Sequence, residues 1–218
     1  MSFENRRAAG RLLAAQLREY TGSDTVVLGI SRGGMVVAHE VAHALHLPLD
    51  VLVVHKIDDP RRTHAHLGVV AEPHHLVVNR QRVRELGLEA TWLEDAVAHG
   101  VQEVSRRGAA CRGARARQAL AERRVIVVDD AAGTGATVRA AATAVRAMGA
   151  GEIVVALPVA PPRVVEDLQA RVDRVVCPAT PGDLIWHGIY YPHPGEVSDD
   201  DICRLLEQER SAVVLAGV

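Results

Sequence analysis

Apolar positions recur along this chain in two rhythms. Short unbroken runs, TVVLGI (25–30), LDVLVVHKI (49–57), EIVVALPVA (152–160) and DRVVCP (173–178), have the length and β-branched content of buried strands. RVIVVDD (124–130) is another, and it ends in two acids. Between these runs the apolar residues fall at helical spacing. Phe3, Leu12, Leu13, Ala15 and Leu17 share one side of an N-terminal helix, and Val36, Val37, Val41, Ala44 and Leu45 stripe the helix that follows SRGG (31–34). VRAAATAVRAMGA and PPRVVEDLQARV predict two more helices, and an Arg-rich helical pattern runs from 89 to 121, interrupted by Gly100, Gly108 and Gly113. LGVVAE (67–72) and HLVVN (75–79) read as a short hairpin, and the polar DDPRRTHAH (58–66) as a mobile loop.

Strands alternating with helices predict an α/β fold, a mostly parallel central sheet with helices on both faces. Such a sheet gathers the carboxyl ends of its strands along one edge, where ligands bind. The 218 residues contain no repeat or linker and are read as one domain.

Composition narrows the function classes. A net charge of −2 argues against a nucleic-acid or membrane-surface partner, and no apolar run is long enough to span a bilayer. The first twenty residues lack a signal peptide's apolar block, and Cys111, Cys177 and Cys203 form no CxxC pair, which fits a cytoplasmic protein with reduced thiols. Lys56 is the only lysine among 25 basic residues.

Two stretches invite other readings. HEVAH (39–43) sets two histidines on one helix face beside a glutamate, as in zinc peptidases, yet only His46 follows as a third candidate ligand. His39 and His43 are therefore expected to face solvent or a neighbouring chain. His64, His66, His74 and His75 read as solvated loop residues. The arginines at 106, 107, 112, 115, 117, 123 and 124 read as a solvated basic face, with RNA contact as the alternative.

VIVVDDAAGTGAT (125–137) carries the most specific chemistry. A small-residue turn into a helix lets backbone N–H groups converge on an anion at the positive helix end, with Thr134 and Thr137 adding hydroxyls. The adjacent Asp129 and Asp130 repel phosphate but suit sugar hydroxyls beside it. A ribose 5-phosphate is one ligand that satisfies both.

This block resembles the phosphoribosyl-pyrophosphate motif of type I phosphoribosyltransferases, and SRGG resembles that family's pyrophosphate loop. RGGMVVAHEVAHALHLPLDVLVVHKI, GVVAE and the tail ATPGDLIWHGIYYPHPGEVSDDDI resemble a bacterial subgroup of it, so the likeness spans roughly residues 5–207. The resemblance implies transfer of ribose 5-phosphate from phosphoribosyl pyrophosphate to a small nitrogenous acceptor, with Mg²⁺ as cofactor. It implies Arg32, Lys56, Asp129 and Asp130 as catalytic residues, with the two aspartates holding Mg²⁺ directly or through water. Ser31, Gly33 and Gly34 would take pyrophosphate, and Ala132, Gly133, Thr134, Gly135, Ala136 and Thr137 the 5-phosphate. A lid at about 57–79 would exclude water, and a hood at about 178–197 would offer Trp186 and Tyr190, with Tyr191, to a planar acceptor. Homodimers are common in that family, the one warrant for expecting a dimer here.

Three positions depart from the pattern. Gly133 stands where 6-oxopurine members carry an aspartate, which argues against hypoxanthine or guanine as acceptor. His55 replaces an arginine, and DDPRRTHAH replaces a Gly/Pro/Asn-rich lid. A phosphoribosyl-pyrophosphate-sensing regulator on the same fold is the alternative function.

Overall fold

The computed structural model describes residues 2–30, 32–59, 61, 66–113, 115–182, 190–192 and 195–215, the side chains of residues 66 and 210–215 aside. Helix α1 (Arg6–Gln16) starts where the Asn5 side chain accepts the Ala8 N–H at 2.9 Å. It buries Ala9, Gly10, Leu13 and Ala14, while Ala15 is exposed. Strand β1 (Thr25–Ile30) then leads into α2 (Gly33–Leu45) and β2 (Leu49–Leu52). Val37, Val41 and Leu45 of α2 are buried as expected, whereas Ala44 is exposed.

The central sheet is completed by β6 (Arg124–Val128), β7 (Glu152–Ala156) and β8 (Arg174–Val176), in the order β2-β1-β6-β7-β8 with every pairing parallel. The last two strands are shorter than their apolar runs; beyond them the chain pairs again at a bridge between Val159 and Ala179. Strand alternation splits the core. Val26, Leu28, Val125, Val127, Ile153 and Val155 pack with α5 (Ala136–Ala147) and α6 (Pro162–Gln169). Val27, Val51, Ile126, Val128 and Val154 pack with α2 and two further helices, α4 (Ala90–Arg112) and α7 (Asp199–Leu215). The order of strands reverses between β1 and β6, so their carboxyl ends diverge around a crevice.

The run 49–57 is not one strand. After β2 the chain leaves β1, and β3 (Val54–Asp58) joins β4 (His66–Ala71) and β5 (His75–Val78) in a separate antiparallel sheet, β3-β4-β5. At the break, Val53 exchanges hydrogen bonds with Glu72: its carbonyl accepts the Glu72 N–H at 3.1 Å and its own N–H donates to Glu72 Oε2 at 3.3 Å. Leu49 through Val54 are all buried, so hydrophobicity is continuous across the change of partner. The expected β4–β5 hairpin is present, with β3 as its third strand.

Helix α3 (Arg80–Glu85), capped by Asn79, falls where the apolar pattern gives no helix. Helix α4 continues through Gly100 and Gly108, and ends at Gly113, where φ is +59°. A β-carbon at Gly108 would lie 1.9 Å from Glu72 Oε1, so this glycine serves close packing rather than a break. The solvated basic face also fails at two positions, because Arg107 and Arg112 are buried.

Arg112 joins the two sheets. Its Nε donates to Asp50 Oδ1 of β2 at 2.8 Å, its two terminal nitrogens donate to Glu72 at 2.9 and 2.8 Å, and it also bonds the Val51 carbonyl. Burial alone lowers an arginine pKa, but the Glu72 and Asp50 carboxylates reverse that and leave Arg112 raised. Helix α7 packs on α2, α4 and β2. Among the described residues no helix is long and apolar enough to cross a membrane.

Candidate functional site

A cleft of about 640 Å³ opens at the carboxyl ends of β1 and β6. One wall is the segment from Asp129 to Val138, another begins at Ile30, Arg32 and Gly33, and β3 supplies a third through Val54, His55 and Lys56.

The first wall ends in a helix N-terminus. Gly135 adopts φ +71° as the N-cap of α5, a conformation that disfavours side chains, and a β-carbon there would meet Val164 Cγ1 at 2.9 Å. The N-cap glycine brings no side chain to the first turn of α5, where among the described residues only the Ala136 N–H meets a side chain, Thr134 Oγ1 at 3.4 Å, and Gly133 through Thr137 line the cleft. Arg139 braces the turn from behind, donating to the Thr134 carbonyl and to Asp167 Oδ2, both at 2.9 Å. Free N–H groups at the positive end of a helix suit an anion.

The two acids differ. Asp130 is buried and takes Arg6 Nε on its Oδ2 at 2.7 Å, while its carbonyl accepts the Tyr191 hydroxyl at 2.6 Å. Asp129 is half-buried, accepts the Asp130 N–H on its Oδ1 at 2.9 Å, and has no ion-pair partner among the described residues. Burial pushes the Asp129 carboxyl well above the usual range and the neighbouring Asp130 charge adds to this, against a smaller pull from Lys56. An oxygen donor of this kind suits sugar hydroxyls or a hard cation.

The loop after β1 closes tightly on those acids. A β-carbon at Gly33 would lie 2.1 Å from Asp130 Oδ2, and one at Gly34 2.8 Å from the Val128 carbonyl. Only glycine lets the loop and the acids share this space. Arg32 is exposed and reaches Asp199 Oδ1 at 3.3 Å. Lys56 faces the cleft from β3, in the second sheet, and not from the end of a central strand. His55 beside it sits edge-on to His99, and burial first, then the His99 charge, lowers its pKa.

Of the expected site residues, Arg32, Lys56, Asp129, Asp130, Gly33 and Ala132 to Thr137 line this one cleft. Gly34 lies directly behind it, against Asp129. Ser31 and Trp186 lie outside the described residues, as do 183–189, 193 and 194 of the hood and 60 and 62–65 of the lid. Tyr190 packs with Phe3 and Val159, and Tyr191 is buried against Phe3 with ring centroids 5.7 Å apart. Arg6, Arg107, Tyr191 and Asp199 shape the site although the sequence pattern assigns none of them to its polar machinery. In an arginine-rich chain nothing marks Arg6 or Arg107 out. Ser198 and Asp201 do form a reciprocal cap, with Asp201 N–H on Ser198 Oγ at 3.1 Å and Ser198 N–H on Asp201 Oδ2 at 2.8 Å, a spacing that announces the start of α7.

HEVAH lies on α2 away from the cleft. Val41 and Ala42 are buried, and His43 is exposed. His39 does not face solvent: it is buried, with Nε2 3.7 Å from Glu209 Oε2 of α7, because α7 covers this face of α2. Among the described residues no group of three or more His, Cys, Asp or Glu side chains is placed to hold a metal ion.

Known proteins share this chain's sequence pattern and fold. The model of the phosphoribosyl transferase domain matches residues 3–194. Proteins from two strains of Mycobacterium tuberculosis, carrying the names "Putative phosphoribosyl transferase MT0597" and "Putative phosphoribosyl transferase Rv0571c", are each 37% identical over 215 residues, 99% of this chain. The chain spans about half the length of these relatives, 48%. The crystal structure of TT1426 from Thermus thermophilus is 39% identical and superposes with a TM-score of 0.80, covering 95% of this chain and 99% of that one. With a domain match over most of its length and relatives at this identity, the chain belongs to the phosphoribosyl transferase domain family.

Proposed function

We propose that the protein is a Mg²⁺-dependent phosphoribosyltransferase that moves ribose 5-phosphate from phosphoribosyl pyrophosphate to a nitrogenous acceptor. The observation that carries this reading is the meeting of three features in one cleft at the strand-order reversal. They are a helix N-terminus with a glycine N-cap, a carboxyl without an ion-pair partner among the described residues, and cationic side chains. Those features match the 5-phosphate, the ribose hydroxyls and the diphosphate of a single substrate.

In this reading the amides from Gly135 to Thr137 and the Thr134 and Thr137 hydroxyls hold the 5-phosphate. Asp129 accepts hydrogen bonds from the ribose hydroxyls, and Asp130, locked by Arg6, fixes the backbone beneath. Arg32, the amides of Gly33 and Gly34, and Lys56 receive the diphosphate. The acceptor nitrogen attacks C1 of the ribose as the C1–O bond to diphosphate breaks, and the negative charge leaves on pyrophosphate toward those cations. Positioning and charge stabilisation supply the rate enhancement. The Asp129 carboxyl, an oxygen donor facing the cleft, fits Mg²⁺ directly or through water, and that ion would offset charge on the ribose and diphosphate oxygens. Ala131, Ala132 and Gly133 provide no side-chain acceptor for a purine proton, which supports a substrate other than hypoxanthine or guanine.

Acceptor-dependent release of pyrophosphate, followed across nitrogen heterocycles and amines, tests this function. The expected result is Mg²⁺-dependent release with at least one acceptor and none with hypoxanthine or guanine. Silence across the panel while phosphoribosyl pyrophosphate still binds would overturn catalysis in favour of a sensor.

A further inference from the structure

Arg107 occupies an unusual position for a buried arginine. It comes from the C-terminal part of α4, is 9% exposed, and lines the same cleft as Arg32, His55 and Lys56. Among the described residues only one of its terminal nitrogens is engaged in a hydrogen bond, to Asp199 Oδ1 at 3.3 Å. Its Nε is buried and has no hydrogen-bond partner among the described residues. Glu103 Oε1 lies 4.0 Å from that Nε, beyond hydrogen-bond range, and Glu103 is committed to Arg106 at 2.8 and 3.0 Å. Buried guanidinium groups are normally saturated with partners, as Arg112 is, so an unsaturated one aimed into a cleft needs an anion to complete it.

Asp199 occupies part of that place. The same carboxylate oxygen lies 3.3 Å from Arg107 and 3.3 Å from Arg32 Nε. A single anionic oxygen shared by two guanidinium groups is the arrangement a diphosphate oxygen would adopt. The reciprocal cap of Ser198 with Asp201 fixes the first turn of α7 so that Asp199 reaches both arginines.

We propose that Arg107 is a diphosphate-binding residue of this site and that Asp199 is an internal competitor the diphosphate must displace. The inference rests on the phosphoribosyl-pyrophosphate reading and adds to it a ligand from α4 and an antagonist from α7. Binding therefore exchanges one carboxylate for a more highly charged diphosphate, and releases the N-terminal turn of α7 from the pyrophosphate loop. Asp199→Asn removes the competitor and leaves both arginines in place.

The test is calorimetry with three ligands in Mg²⁺: inorganic pyrophosphate, phosphoribosyl pyrophosphate and ribose 5-phosphate. Asp199→Asn is expected to tighten the two diphosphate ligands severalfold. Arg107→Met is expected to weaken them by roughly tenfold or more, with Arg107→Lys restoring part of the loss. Ribose 5-phosphate, which lacks the diphosphate, keeps its affinity in all three variants. If Asp199→Asn leaves diphosphate affinity unchanged or lowers it, the competitor is refuted, and this arm stands even if Arg107→Met fails to fold. Equal losses for ribose 5-phosphate in the Arg107 variants would mark that arginine as structural. A wild-type protein that binds no phosphoribosyl pyrophosphate overturns the functional reading itself, a result distinct from either of these.

Discussion

Asp129→Asn is expected to cost roughly tenfold to a hundredfold in affinity for phosphoribosyl pyrophosphate while leaving the protein as stable as before or more so. The loss follows from replacing a charged acceptor of the ribose hydroxyls, since a hydrogen bond to a charged group contributes about 1.5–3 kcal/mol. The stability effect has the opposite sign for a physical reason. Burial and the charge of Asp130 raise the Asp129 pKa in the folded protein. A carboxyl raised in this way favours folding at low pH, and that contribution is lost as pH rises through the folded pKa. Once ionised, the side chain therefore burdens the fold, and an amide of the same shape relieves it. Thermal unfolding at pH near 7.5 beside ligand titration checks both halves. A variant that loses affinity and also unfolds many degrees earlier would show that Asp129 holds the fold and not the ligand.

Arg112→Met should be the most destabilising single change in this set, by about 3–5 kcal/mol. The substitution leaves Asp50 buried with no ion-pair partner among the described residues and Glu72 with only Arg117, at 3.2 Å. It also cuts the tie between the central sheet and the sheet bearing His55 and Lys56. Denaturant unfolding measures the loss directly. A companion variant with Asp50→Asn and Glu72→Gln added removes the orphaned charges and should recover part of the stability. A loss below about 1 kcal/mol for Arg112→Met alone, well short of what an orphaned buried pair costs, would contradict the role assigned to this network.

The sequence made the central sheet legible because its strands are buried on both faces and read as unbroken apolar runs. The turn proposed to hold phosphate was legible for a different reason: Gly135 at φ +71°, with Gly33 and Gly34 of the facing loop packed against the acids, leaves a composition few other structures need. What escaped depended on partners distant in the chain. Val53 ends one strand because Glu72, nineteen residues on, captures its amide, and nothing in VLVVHK marks that residue. Arg107 and Arg112 share their helix with the exposed Arg106, and only their packing against Asp199, Asp50 and Glu72 separates them from it. The burial of His39 is hidden for the same reason, because the helix that covers it comes from the far end of the chain. Helical glycines at 100 and 108 resemble breaks but make room for β4 and Glu72.

The central claim is that one cleft holds a sugar phosphate by its 5-phosphate, ribose and diphosphate together. Calorimetric titration of the wild-type protein with phosphoribosyl pyrophosphate, with and without Mg²⁺, tests it most directly. The account predicts one site per chain, binding strengthened by Mg²⁺, and ribose 5-phosphate competing at the same site with lower affinity. No heat of binding at millimolar phosphoribosyl pyrophosphate in the presence of Mg²⁺ would contradict it.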